Sequence, residues 1–238
     1  MQRRDPLQEM AATADAAIAF LLLFFIPLAG RALLLLLGFP DTAVKSLECG
    51  VVMQTFASVL LCLFVGIRPQ GVAFRLKGHV GRTLGTYVAF AFLWVPFSLM
   101  LYPLLVRGVG WDLPAQPLLL YVVGRAPPMG LFLAISLICV VGPIGEELFF
   151  RGYIYRFVVM RWGQATALVV TSVWFGVIHG PEYALPLTLM GLLFGYLRQR
   201  TGGVAAPILA HMLHNSLTIG CTLLWPDLLD KVFDTLIT

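Results

Sequence analysis

Charge is scarce in this sequence. Asp, Glu, Lys and Arg make up only 12% of its 238 residues, 59% are hydrophobic, and the mean hydropathy is +0.89. A soluble domain is nearer a quarter charged. The composition therefore excludes a soluble globular protein and points to an integral membrane one. No long polar stretch is present that could fold separately, so residues 1–238 read as a single membrane domain. The net charge of +4 is small and gives no reason to invoke a nucleic-acid partner. Cysteine is sparse as well. Cys49, Cys62, Cys139 and Cys221 lie in or beside apolar runs without a CxxC pair, and they read as small core residues. Internal repeats are lacking, as are HExxH, GxGD and GxSG-like stretches. The sequence therefore offers no zincin-type, aspartyl or serine catalytic motif.

What is abundant is long apolar runs. A bilayer core needs roughly 20 apolar residues per helix. Candidate spans are 16–39, 49–67, 84–106, 129–150, 164–180, 185–198 and 204–225, which predicts an all-α polytopic bundle of about seven (six to eight) transmembrane helices. The first run reaches Phe39, broken only by Arg31, and is too long for a signal core. The sixth is short and rich in Gly and Leu, so its neighbours are expected to shelter it. The run 115–123 is too short to cross and is expected in the interface, the loop 68–82 is expected to form an amphipathic surface helix, and the tail 226–238 is mildly amphipathic.

The basic residues fix an orientation. With the N-terminus in the cytoplasm, cytoplasmic segments hold Arg3, Arg4, Arg68, Arg75, Lys77, Arg82, Arg151, Arg156, Arg161, Arg198 and Arg200. External segments hold only Lys45, Arg107, Arg125 and Lys231. The asymmetry predicts an N-in, multi-pass protein of the cell's inner membrane.

Ionisable residues inside the apolar half concentrate between 146 and 215. Each costs on the order of 2.5–3.5 kcal/mol at bilayer depth, which makes them a functional-site hypothesis. In GPIGEELFFRG (142–152), Glu147 and Arg151 are i and i+4 and share a helix face, while Glu146 points about 100° away. One acid is thus neutralised and the other is left as a candidate general base; the bland alternative is helix-end charges in the headgroup zone. Phe175 and His179 are i and i+4 in VWFGVIHG, and so are His211 and Asn215 in LAHMLHNSL. A buried core histidine and an interhelical hydrogen-bond pair are the bland readings of those two. Glu146 and His179 are equidistant from Arg161-Trp162-Gly163. A hairpin there would bring both to one depth, about 24 Å of helix from the turn, and His211 and Asn215 would lie about 12 and 18 Å along the last span. A carboxylate with an imidazole can take a proton from water. A second imidazole with an amide can donate to the oxyanion formed in peptide hydrolysis, and the same groups are nitrogen and oxygen donors of the kind zinc uses.

Glu146-Glu147-x-x-x-Arg151, Phe175-x-x-x-His179 and His211-x-x-x-Asn215, in that order on consecutive helices, resemble the three motifs of the CAAX-protease and bacteriocin-processing (CPBP) family of intramembrane proteases. The resemblance covers residues 129–219; residues 1–128 read as accessory helices. It implies an intramembrane endopeptidase acting on a membrane-embedded or membrane-anchored protein or peptide. The implied chemistry is CAAX-type processing, bacteriocin maturation or immunity, or removal of a C-terminal anchor. It also implies that Glu146 and His179 activate water and that His211 and Asn215 stabilise the oxyanion. Glu147, Arg151 and Phe175 would support them. Zn2+ held by Glu146, His179 and His211 is admitted and not required. The competing expectation is a non-catalytic immunity, chaperone or transport protein that uses the same polar layer for binding.

Overall fold

The computed structural model describes residues 6–38, 42–69, 72–76, 79–124, 127–225 and 227. Among these, every regular element is a helix, as the composition predicts. In chain order they are α1 (Pro6–Leu36), α2 (Ala43–Ile67), α3 (Val80–Gly108), α4 (Pro117–Val123), α5 (Pro128–Val177), α6 (Ala184–Thr201) and α7 (Ala205–Leu224). By length and composition, α1, α2, α3 and α5 can each cross a membrane. Their outward faces carry bare apolar side chains, such as Leu36, Phe92 and Leu93, each more than 70% exposed. In lipid that exposure is favourable. The same reasoning corrects the cysteines: Cys139 is buried, but Cys62 and Cys221 face outward, because a lipid-facing position is as apolar as the core.

Among the described residues, four stretches widen into π-helical turns, and three share one cause. Leu21–Phe25, Phe97–Leu101 and Leu137–Val141 each stand just before a residue followed by proline: Pro27, Pro103 and Pro143. Proline has no N–H and its ring crowds the carbonyl four residues back. The helix accommodates it by admitting one extra residue: Ile26, Tyr102 and Gly142 donate to carbonyls five residues back. The fourth, Leu148–Ile154, has no proline behind it and all seven of its residues are buried.

The expected turn at 161–163 is present. α5 breaks at Gly163 (φ 85°, ψ 176°), a conformation a side chain would strain. The arm that follows packs closely on α6 through small residues. A Cβ at Gly176 would collide with the Ala184 carbonyl and Thr188, and one at Gly191 would lie 2.8 Å from Ser172 Cα. α6 is sheltered as expected, with Met190, Leu193, Phe194 and Leu197 buried. It ends on Gly202 in the left-handed region (φ 67°), which turns the chain into α7.

The loop 68–82 departs from expectation. Residues 68–69 and 72–76 are irregular, and α3 begins at Val80. Pro69, Gly71 and Gly78 oppose a helix there. The segment is instead a strap over the bundle: Val72 is buried against Gly152, and the Ala73 carbonyl accepts the Val204 N–H at 2.8 Å. Of the tail 226–238, only residue 227 lies within the described residues.

The strap lies at the end of the bundle where the arginines gather. Asp15 of α1, 2% exposed, pairs with Arg68 at 3.1 Å and Arg156 at 3.2 Å, while Arg161 donates to Thr13 at 2.7 Å. This lattice ties the start of α1, the end of α2 and the first arm of α5 together.

Candidate active site

The proline-free π turn of α5 carries Arg151 of the first motif, and Glu146 and Glu147 stand just before it. Tyr155 sends its N–H to the Phe150 and Gly152 carbonyls, bypassing Arg151. The Arg151 carbonyl accepts instead from Arg198 Nε of α6 at 3.0 Å. The Arg151 side chain is itself fully buried. It donates through Nη1 to Glu147 Oε1 at 3.0 Å and through Nη2 to the Gly191 carbonyl at 2.8 Å. A mid-helix carbonyl has a second lone pair to offer. The rings of Phe175, Phe194 and Phe150 enclose the guanidinium at 4.9, 5.4 and 5.7 Å. The cation is therefore held by one carboxylate, one carbonyl and three aromatic faces.

Glu147 accepts a second partner. His211 of α7 places Nδ1 3.0 Å from Glu147 Oε1 and Nε2 4.0 Å from Glu146 Oε2. An ionised carboxylate can only accept, so the proton of that contact lies on Nδ1, and Nε2 faces Glu146. The ring is sandwiched: Phe194 stacks on it at 4.6 Å and 21°, and Phe175 meets it edge-on at 5.6 Å. Glu146 differs from its neighbour. Its side chain is 25% exposed where that of Glu147 is 0%. The outer acid is open to an incoming molecule and the inner acid is sealed.

His179 lies beyond the end of α5, in the turn before α6. Its Nδ1 is 2.6 Å from the Phe175 carbonyl, which can only accept, so the proton sits on Nδ1 and Nε2 carries a lone pair. Its ring lies 4.9 Å from that of Phe175. The turn is fastened by Tyr102 of α3, whose hydroxyl donates to the Glu182 carbonyl at 2.5 Å. Asn215 donates one amide hydrogen to the Ile138 carbonyl at 2.8 Å, in the π turn ahead of Pro143.

The structure thus brings Glu146, Glu147, Arg151 and His211 into one cluster, with Phe175 as the ring shared by Arg151, His179 and His211. Glu146 and His179 are not directly bonded among the described residues; His211 is the histidine facing Glu146. For zinc the donor set does not fit as arranged. Among the described residues no three His, Cys, Asp or Glu side chains converge on one point, and His211 Nδ1 is engaged by Glu147. Sequence reasoning missed Gly191 and Phe194. Their signal was the small-residue pattern of GLLFG, which marks a close approach without naming its target. It also missed the inner acid's bond to His211, which no spacing within one helix can reveal.

Comparisons with known proteins bear on the same stretch of the chain. Residues 128–217 match the family model described as type II CAAX prenyl endopeptidase Rce1-like. The protein named "Putative membrane peptidase YdiL" of Bacillus subtilis (strain 168) is 31% identical over 115 residues, 48% of this chain and 45% of that protein. An "Uncharacterized 24.3 kDa protein" of Escherichia coli is 26% identical over 164 residues, 66% of this chain and 73% of that protein. The chain thus spans under half the length of the first relative and about three quarters of the second. No solved structure matches significantly. Residues 128–217, where all three motifs lie, are thus the part of the chain that is similar to the Rce1-like family of type II CAAX prenyl endopeptidases.

Proposed function

We propose that this protein is an intramembrane endopeptidase in which Glu146 is the general base. The observation that carries the reading is the pair of unequal acids on one histidine. Glu147 is sealed, neutralised by Arg151 and bonded to His211 Nδ1, while Glu146 is open and faces the other nitrogen of the same ring.

Water bound against Glu146 gives its proton to that carboxylate as its oxygen attacks the substrate carbonyl. His179 Nε2, its lone pair free because Nδ1 donates to Phe175, can accept the second water hydrogen and orient the nucleophile. The remaining amide hydrogen of Asn215 and a protonated His211 Nε2 are donors for the oxyanion. His211 can receive that proton from Glu146, 4.0 Å away, and the same route returns it to the leaving amine when the C–N bond breaks. Glu147 holds the ring in the tautomer this requires, and Arg151 is the counter-charge of Glu147. No step uses a metal. Metal content and activity after chelation, measured on purified protein, test that part of the reading separately.

The substrate is a membrane-anchored protein or peptide, with a lipidated C-terminal tail as the class the family suggests. The arginine lattice at one end supports a multi-pass protein of the inner membrane with that end in the cytoplasm. The test uses purified protein in liposomes with two peptides, one bearing a prenylated CAAX tail and one an unlipidated membrane-spanning segment. Cleavage of either by the wild type, lost in Glu146→Gln, supports the reading, and the peptide cut assigns the class. Equal cleavage by wild type and variant, or none by the wild type, contradicts it.

A further inference from the structure

A second polar site lies apart from the acids and histidines, at the arginine-rich end of the bundle. Between the first turns of α3 and the last turn of α6 is a cavity of about 130 Å3. One water occupies roughly 30 Å3 in the liquid, so the space suits a polyatomic ligand. Its lining mixes the apolar side chain of Leu197 and the stems of its neighbours with cationic and hydroxyl groups. Arg82, Thr83 and Thr86 come from α3, and Tyr196, Arg200 and Thr201 from α6. No carboxylate lines it. Among the described residues neither Arg82 nor Arg200 forms an ion pair, and Arg200 lies over the Tyr196 ring at 5.8 Å. A third guanidinium, that of Arg75, lies beside Gly202, next to Thr201.

The decisive residue is Thr83. It is 1% exposed, it lines the cavity, and its hydroxyl is buried with no hydrogen-bond partner. A buried hydroxyl left unpaired costs about 1–3 kcal/mol. Threonines inside helices ordinarily avoid that cost by donating to the carbonyl four residues back, as Thr171 and Thr201 do in this chain. Thr83 does not. An oxygen-rich anion in the cavity would accept from Thr83 and from both arginines at once.

We propose that this cavity binds a phosphate group, the shared chemistry of an anionic phospholipid headgroup and free phosphate. Its place at the basic end, where the helices meet the membrane surface, favours the lipid: juxtamembrane arginines attract anionic headgroups. The proposal is independent of the peptidase reading.

The test reads thermal midpoint and, by native mass spectrometry, bound ligand. Full-length protein in neutral detergent is titrated with phosphatidylglycerol, with phosphatidylcholine, and with inorganic phosphate against chloride at matched ionic strength. The wild type is expected to gain stability with phosphatidylglycerol and not phosphatidylcholine. Loss of one guanidinium, in Arg200→Gln or Arg82→Gln, is expected to weaken binding about tenfold, the scale of one charge-assisted hydrogen bond. Thr83→Val, isosteric and free of the unpaired hydroxyl, is expected to raise the midpoint without ligand and to reduce the response to it. Stabilisation by inorganic phosphate alone assigns the site to a soluble phosphate instead of a lipid. No response of the wild type to either probe, or equal responses in wild type and both arginine variants, overturns the proposal.

Discussion

At the residue scale, the proposed chemistry rests on two neighbouring glutamates that the fold treats differently. Glu146→Gln keeps shape and removes only the base. Cleavage is expected to fall about 10²–10⁴-fold, with a thermal midpoint close to wild type, since this side chain is part-exposed. Glu147→Gln leaves the fully buried Arg151 without its counter-charge, and breaking such a pair costs about 3–5 kcal/mol. Chemical unfolding in detergent should show that loss for Glu147→Gln and for Arg151→Met. The double variant Glu147→Leu/Arg151→Met should recover much of it while staying inactive, because His211 loses its orienting acid. Wild-type stability in both single variants would show that the pair does not hold the fold. The i, i+4 spacing made the Glu147–Arg151 pair legible in the sequence. The bond from Glu147 to His211 was not legible, because it joins residues 64 positions apart on helices whose relative rotation no local pattern states.

At the scale of elements, α6 is a closely confined helix, with Met190, Leu193, Phe194 and Leu197 buried. Its glycines set how near it comes to the second arm of α5, and that distance delivers the Gly191 carbonyl to Arg151 and the Phe194 ring to His211. Gly191→Leu would drive a side chain into the Ser172 backbone. It is expected to cost about 1–3 kcal/mol, the usual scale of overpacking, and to lower kcat more than it raises KM. A change in KM alone would place α6 in substrate binding. The hairpin at Gly163 and the apolar spans could be read from the sequence because glycine and hydropathy act locally. The strap formed by residues 68–69 and 72–76 could not. Its alternation of basic and apolar residues resembles a surface helix, yet its backbone partner is Val204, over a hundred residues away. The π turns follow a rule visible only once the helices are known to continue through proline. The exception at Leu148–Ile154 then stands beside the candidate site.

At the scale of the whole molecule, the bundle has a basic end and an opposite end. Single cysteines placed in a cysteine-free background at Trp162 and Asp112 report its orientation. A membrane-impermeant thiol reagent is expected to label Asp112→Cys in intact cells and Trp162→Cys only after permeabilisation; the reverse pattern would invert the protein. Hydropathy showed that the chain enters a membrane, and charge asymmetry suggested which way. Which helices shelter others was legible only for α6, since an outward face and a core face are equally apolar in lipid, as Cys62 and Cys221 show. The central claim is that this molecule cuts peptide bonds in the membrane with Glu146 as its base. Its most direct measurement is the set of protein termini in membranes of cells producing wild type or Glu146→Gln at equal abundance. The account predicts new termini within or beside membrane anchors in the wild type and uncut chains in the variant. Identical termini in the two would contradict it.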